Sequence, residues 1–318
     1  MNFQQLRSVR ETVRQGFNLT TVSEVLHTSQ PGVSRQLKEL EDELGVELFI
    51  RAGRRFLGLT PPGEVALPII ERLLQDAENL KRVGDDFATR NTGTLTVAAT
   101  HTQARYALPP AVRDFLDQHP QVTLHLQQGS PRQIAEWVLK GQADLGIATE
   151  ALTDYPELVT LPCYRWTHVV VVPPAHPLAA AQARGEPLTL AQLARFPLVT
   201  YEQGYTGRSH IDEAFQREGL AFDVVLSAMD ADVIKTYVDL GIGVGVVASV
   251  AFDEDRDQHL VAIDAGHLFA LNTTRVAVKR RAYLRSFVLD FIQTFAPSLT
   301  KEVVVGAMES RAGEVVEA

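Results

Sequence analysis

From residue 94 onward the chain switches between two periodicities, and that switching constrains the fold more than any other feature. Short apolar runs at Leu95–Ala99, Val122–Gln127 and Asp144–Thr149 alternate with segments of helical spacing, at about 103–118 and from Pro131 to Lys140. Strands separated by helices cannot close as hairpins. They pair in parallel, with helices covering both faces of the sheet. After the strand "HVVVVP" (168–173) the pattern repeats. Helix 189–195, strand Pro197–Tyr201, a helix from about Gly207 to Glu218, strand Val224–Ser227, helix 230–240 and the glycine-spaced strand "GVGVVAS" follow. "RVAVKRR" and the apolar helix "YLRSFVLDFIQTFA" close the series. Two α/β halves joined by crossing strands predict two subdomains around a cleft.

Ligands of open α/β sheets bind outside the carboxyl ends of the strands. That places Thr100, Thr102 and Gln103 at the first strand end, Gln128–Ser130 at the second and Thr149–Glu150 at the third. Thr200 and the loop "EQGYTGRS", with Thr206, come from the other half. Hydroxyls, amides and helix-start N–H groups can hold a small anion without a countercharge, because a helix N-terminus presents unpaired donors and a favourable dipole. The same threonines would also serve simply as helix caps.

What lies in front of this region has a different character. Phe3, Leu6, Val9 and Val13 share one helical face that ends near Gly16. Asn18 caps a second helix carrying Leu19, Val22, Val25 and Leu26. A tight turn leads to "PGVSRQLKELEDELG", with Ser29 as N-cap and Pro31 in the first turn. Val33, Leu37, Leu40 and Leu44 face inward, which leaves Gln30, Ser34, Arg35 and Lys38 outward. Gly45 ends the helix. This is a helix-turn-helix whose outward groups suit the DNA major groove: Arg and Lys for guanine, Gln for adenine, Ser for phosphate or base edges. "FIRAGRRFLGLT" then puts Arg51, Arg54 and Arg55 around a glycine in a predicted β-hairpin, a wing placed to meet phosphates.

The net charge of −9 does not oppose this. Residues 1–60 hold eight Lys/Arg against seven Asp/Glu, and the remainder holds 22 against 32. The acidity belongs to the C-terminal part, leaving the first part fit for DNA. The single cysteine, Cys163, excludes an internal disulfide framework and a Cys-rich zinc site, and suits a reducing compartment. Charges every few residues at the N-terminus do not suit a signal peptide, and no run of 18 apolar residues exists. A cytoplasmic protein without membrane association is expected.

Between the two parts, Ala66, Ile70, Leu73, Ala77, Leu80, Gly84 and Phe87 step by four and three along a helix from Pro62 to about Ala88. That is a heptad seam for dimerisation, though such a stripe also suits packing on the helix's own domain. A helix-turn-helix usually needs a partner to span two half-sites about 34 Å apart, which favours the dimer. "TRNTGT" (89–94) reads as a polar hinge. The fold class is α/β overall: a mainly α winged helix-turn-helix (1–60), a linker helix and hinge (61–90), a two-subdomain α/β effector domain (91–303) and a tail (304–318).

"SEVLHTSQPGVSRQLKELEDELGVELFIR" followed by "LTPPG" resembles the N-terminal domain of LysR-type transcriptional regulators. The resemblance implies DNA contact by Ser29, Gln30, Pro31, Ser34, Arg35 and Lys38, and by Arg51, Arg54 and Arg55 of the wing. Further along, "ATHTQARYALP", "QGSPRQIA", "ATEAL", "LPCYRW", "HPLA", "TGRS" and "DADVIKTYVDLGIGVG" are similar to the branch of that family governing cysteine biosynthesis and sulfur assimilation. It runs to about residue 303. It implies an effector domain folded like periplasmic binding proteins, a homotetramer built as a dimer of dimers, and promoter DNA and RNA polymerase as partners. It also implies no cofactor, and an effector such as O- or N-acetylserine, with sulfate or thiosulfate able to enter the same pocket. The pocket residues it implies are Thr100, Thr102, Gln103, Ser130, Thr149, Glu150, Trp166 and Thr206. A regulator of another sulfur-source operon, responding to alkanesulfonates or sulfate starvation, is the alternative.

Two other classes compete. His101, His125, His168 and Glu150 would suit acid/base catalysis, but no nucleophile elbow, P-loop, Rossmann glycine set or metal-ligand spacing accompanies them. Neither catalytic nor metal-binding residues are expected. A periplasmic transport protein would share the C-terminal fold but not the helix-turn-helix in front of it.

Overall fold

The computed structural model describes residues 1–53, 55–88 and 92–310 of the 318-residue chain. They form two compact units, one ending at Phe87 and the other beginning at Ala88. No helix among the described residues is long and apolar enough to cross a membrane.

In the first unit, α1 (Phe3–Arg14), α2 (Leu19–Val25) and α3 (Gln30–Leu44) follow the predicted spacing. Asn18 accepts from the Thr20 amide and Ser29 from the Gly32 amide, both as expected of N-caps. Gly45 ends α3 in the left-handed conformation, φ 70°, which glycine adopts without strain. β1 (Phe49–Ala52) and β2 (Arg55–Leu59) pair antiparallel as the predicted hairpin. α4 (Pro61–Ala88) is one helix with Pro68 inside it.

Leu6, Val9, Leu19, Val22, Val33, Leu37, Leu40, Phe49 and Phe56 form the core with Ile70 and Leu74 of α4. Phe3, Val25 and Leu44, expected to face inward, are exposed. Each is the first or last residue of its helix, beyond the reach of that core. Along the predicted seam, Ile70 is buried, whereas Leu73, Leu80 and Phe87 are exposed.

In the second unit, β3 (Gly93–Ala99) starts before the predicted Leu95, because Gly93 and Thr94 pair with Val122 and Thr123. These two residues are therefore strand and not hinge; residues 89–91 of the proposed hinge lie outside the described residues. The predicted helix 103–118 is two pieces, a π-turn over Gln103–Ala107 and α5 (Leu108–Gln118). Next come β4 (Val122–Gln128), α6 (Pro131–Leu139), β5 (Leu145–Ala148) and β6 (Leu158–Trp166). β6 was not foreseen. Pro162 interrupts its pattern, and β6 is an edge strand where a proline is tolerated.

One residue, Thr167, separates β6 from β7 (His168–Val172), and there the chain crosses to a second sheet. α7 (Pro177–Ala183), α8 (Leu190–Leu193), β8 (Leu198–Tyr201), α9 (Thr206–Arg217), β9 (Val224–Ala228), α10 (Ala231–Asp239), β10 (Val244–Ala248) and β11 (Val261–Asp264) build the second half. The chain then returns through β12 (Asn272–Lys279), α11 (Ser286–Phe295) and α12 (Lys301–Glu309). α12 runs across residue 303, and its Val304, Ala307 and Met308 are buried in the first subdomain's core. The effector domain therefore extends past the boundary expected there, and the tail begins no earlier than the end of this helix.

The sheets have strand orders β4-β3-β5-β12-β6 and β11-β7-β10-β8-β9. In the first, β4, β3 and β5 are parallel and β12 antiparallel; in the second, β9, β8 and β10 are parallel and β7 antiparallel. Apolar residues fill both faces of each sheet, as buried parallel strands require. Two chain crossings join the subdomains, the arrangement the alternating pattern predicts.

Candidate functional sites

α3 presents Gln30, Pro31, Arg35 and Lys38 to solvent, with Ser34 half-buried beside them. Ser29 is exposed, but its hydroxyl is engaged at the helix start. Arg35 pairs with Glu39 one turn on, at 2.7 Å, in a fully solvated geometry that contributes little and is easily exchanged for another anion. In the wing, Arg55 is exposed. Arg51 is held instead by the buried carboxylate of Glu41, and its guanidinium lies 4.7 Å from the centroid of the Phe56 ring. Glu41 also accepts the Leu48 and Phe49 amides, so Arg51 completes a joint between α3 and the wing. Arg54 lies outside the described residues.

The second site is a cavity of about 370 Å³, counting its open side, between the subdomains of the second unit. Thr100, Thr102, Gln103, Thr149 and Trp166 line it from the first sheet's strand ends, with Tyr201, Tyr205 and Gly207 opposite. None of these lining side chains carries a charge. Thr102 makes no side-chain cap to the helix it precedes; it lies against the Tyr201 phenol, which also accepts the Ala248 amide at 3.1 Å. Burial pushes that phenol up to about 12. Gln103 is locked: its amide donates to Thr274 Oγ1 at 3.1 Å, and its carbonyl accepts from Tyr164 at 2.5 Å. Trp166 Nε1 donates to the same Thr274 hydroxyl at 3.2 Å, which fixes the indole as a wall.

The cavity also meets the start of α9. The N-cap residue, Tyr205, makes no side-chain cap to that helix, and Gly207 in its first turn lines the cavity. Amides at such a terminus are ready donors for an anion. A Cβ at Gly207 would come within 3.0 Å of His168 Nε2. His168 is fully buried against Trp166 and Phe269, with its Nε2 beside Gly207. Burial, and then the nearby His210, pull His168 down to about 4.

Three expected pocket residues do not join this lining among the described side chains. Ser130 caps α6 by accepting the Gln133 amide at 3.3 Å. The Glu150 carboxylate accepts the Thr273 amide. Thr200 points the other way along its strand and donates to the Val246 carbonyl at 3.0 Å. Thr206 begins α9, but its side chain lies outside what the structure describes. Tyr201 was missed, whereas Tyr205 and Gly207 lie in the loop "EQGYTGRS" expected at the site, where Thr206 was the residue singled out. Alternation along β8 held the signal for Tyr201: if Thr200 faces one side, its neighbour faces the other.

Among the described residues, His101, Asp230 and Asp232 form one trio that could hold a metal, with ligand atoms within 4.8 Å of one another. Asp230 already accepts the Val233 amide, and Asp232 the Tyr106 hydroxyl.

A winged helix-turn-helix joined to a two-subdomain fold with a polar, uncharged cleft defines a DNA-binding regulator with a small-molecule domain. Residues 3–64 match the bacterial regulatory helix-turn-helix protein, lysR family, and residues 88–299 match the LysR substrate binding domain. The chain belongs to the LysR family of transcriptional regulators. It is 57% identical to the HTH-type transcriptional regulator SsuR of Burkholderia cenocepacia, over 97% of this chain and 99% of that one. It is 53% identical to the HTH-type transcriptional regulator CysB of the same organism, over 98% of each. The crystal structure of the cofactor-binding domain of the Cbl transcriptional regulator matches with a TM-score of 0.65 at 46% identity, covering 69% of this chain and 95% of that one. These relatives are transcriptional regulators and not enzymes.

Proposed function

We propose that the chain regulates genes of sulfur assimilation and cysteine biosynthesis, sensing a small anion such as O- or N-acetylserine, sulfate or thiosulfate in the second unit's cavity. The observation that carries this is the lining: hydroxyls, an amide, indole and phenol rings and the first turn of α9, with no charged side chain among the lining residues described. A lining of neutral hydroxyls beside a helix start favours a compact anion over a large or cationic ligand. Identity to SsuR above that to CysB favours a second reading, control of an alkanesulfonate or sulfate-starvation operon.

The outward face of α3 with Ser29, Gln30, Pro31, Ser34, Arg35 and Lys38 reads promoter DNA, and Arg54 and Arg55 of the wing meet the phosphate backbone. The exposed Leu73, Leu80 and Phe87 of α4 supply the seam of a dimer, and dimers pair into a tetramer that engages RNA polymerase in the cytoplasm. Calorimetric titration of acetylserines, sulfate and thiosulfate into the wild type and Thr102→Ala tests the sensing role. A hydrogen bond to a charged group contributes about 1.5–3 kcal/mol, so Thr102→Ala should weaken the effector about ten- to a hundredfold. Equal affinities would leave the threonines as structural residues and end this assignment of the cavity.

A further inference from the structure

The π-turn Gln103–Ala107 serves both subdomains at once. Its first residue, Gln103, is locked to Tyr164 and Thr274 of the first sheet. Three residues on, Tyr106 reaches the other way and packs on the core of the second subdomain. Its hydroxyl donates to Asp232 Oδ1 at 2.6 Å and accepts from Lys235 Nζ at 3.0 Å, both on α10. The turn is wider than an α-helix by one residue, closed by the Leu108 amide on the Gln103 carbonyl. Such single π-turns reorient side chains within a helix and recur at functional sites.

The anchor that Tyr106 meets is rigid. Lys235 is buried, with Nζ 2.8 Å from Asp257 Oδ2 and 2.9 Å from the Ala251 carbonyl. Asp257 Oδ1 lies 2.9 Å away as well, so Nζ faces both carboxylate oxygens, the Ala251 carbonyl and, at 3.0 Å, the Tyr106 hydroxyl. Removing that oxygen breaks the hydrogen bond between Nζ and the turn, while Asp257, Ala251 and, at 3.4 Å, Asp232 still hold Lys235 in place. Arg105 adds a weaker solvated tie, 3.4 Å from Asp232 Oδ2. The second subdomain therefore holds the turn that bears Gln103 and follows Thr102.

We propose that Tyr106 is a positioning residue for the effector cavity: bridging Asp232 and Lys235, it keeps the two subdomains at the spacing in which Thr102 and Gln103 face Tyr201 and Gly207. This rests on the cavity being the effector site. Tyr106→Phe keeps the ring and removes only the bridging oxygen; Asp232→Asn weakens the same bridge from the other side.

The test uses the full chain with Cys163→Ser and spin labels at the exposed positions Asp117 and Arg217, one on each subdomain. Electron-resonance distance distributions are recorded without and with sodium sulfate, and sulfate affinity is measured by calorimetry. Without sulfate, both variants should give a broader distribution than the parent. Sulfate should narrow it again, with affinity reduced roughly tenfold, as expected for one lost bond to a charged group. Parent-like distributions in both variants would overturn the proposal, whatever their affinities. If the parent itself bound neither sulfate nor an acetylserine, the effector assignment would fail, while the sulfate-free distributions would still decide whether Tyr106 sets the spacing.

Discussion

The outward face of α3 and the cavity of the second unit are both made of polar side chains, yet their donors are in opposite states. On α3 they stand in solvent: Gln30, Arg35 and Lys38 are exposed, and the Arg35–Glu39 pair is an i,i+4 contact in water. In the cavity Thr100, Thr102 and Gln103 are buried, and Gln103 is held by two other side chains. A surface that must match a long, hydrated, highly charged partner gains from mobile, long cations that displace that partner's condensed counterions on binding. A pocket for a small anion gains from donors already fixed at the right spacing, because little ordering remains when the ligand arrives. Preorganisation is therefore concentrated where the ligand is small.

That contrast can be broken in three ways. The largest effect belongs to the apolar seam of α4. Leu80→Asp places a charge on an exposed leucine; if the seam pairs two chains, operator affinity should fall about 10²- to 10⁴-fold through lost avidity. Effector affinity should stay at the wild-type value. Sedimentation and operator binding check it, and an unchanged mass would show that the seam is not the dimer contact.

His168 sharpens the contrast through pH. Its folded value near 4 lies below the ordinary 6.5, so between those limits the unfolded chain binds a proton that the folded chain does not. Stability should fall as pH drops through that window, by on the order of 3 kcal/mol at its lower end. His168→Gln should remove about one proton of this acid sensitivity. Denaturant unfolding at pH 7, 6 and 5 reads the slope; identical slopes in variant and wild type would place the acid sensitivity elsewhere. No comparable burial occurs at Arg35, Lys38 or Gln30 on α3.

The smallest effect is expected on α3. Arg35→Ala should cost about 1–3 kcal/mol of discrimination at one base position if the guanidinium reads a base edge. Equal losses on operator and unrelated DNA would mean that Arg35 touches only phosphate.

The helix-turn-helix was legible almost in full. Periods of three and four, Asn18, Ser29 and Gly45 act over one or two turns, and the structure keeps their placement. The alternation from residue 94 likewise determined two α/β halves and the strand ends at which Thr100, Thr102, Gln103 and Thr149 meet. Only the tertiary structure decided which polar groups face the cavity and which serve the scaffold. Ser130 and Thr200 have the right chemistry at the right strand ends, yet one caps α6 and the other binds a neighbouring strand. Arg51 belongs to the predicted wing, yet the buried Glu41 claims it. The contacts that settle these fates join residues far apart in the chain: Gln103 to Thr274, Tyr106 to Lys235, Tyr201 to Ala248. Local spacing governs caps and faces because those interactions close within a turn. A buried hydrogen bond is set by whichever partner the folded chain brings within about 3 Å, and that depends on every element between the two.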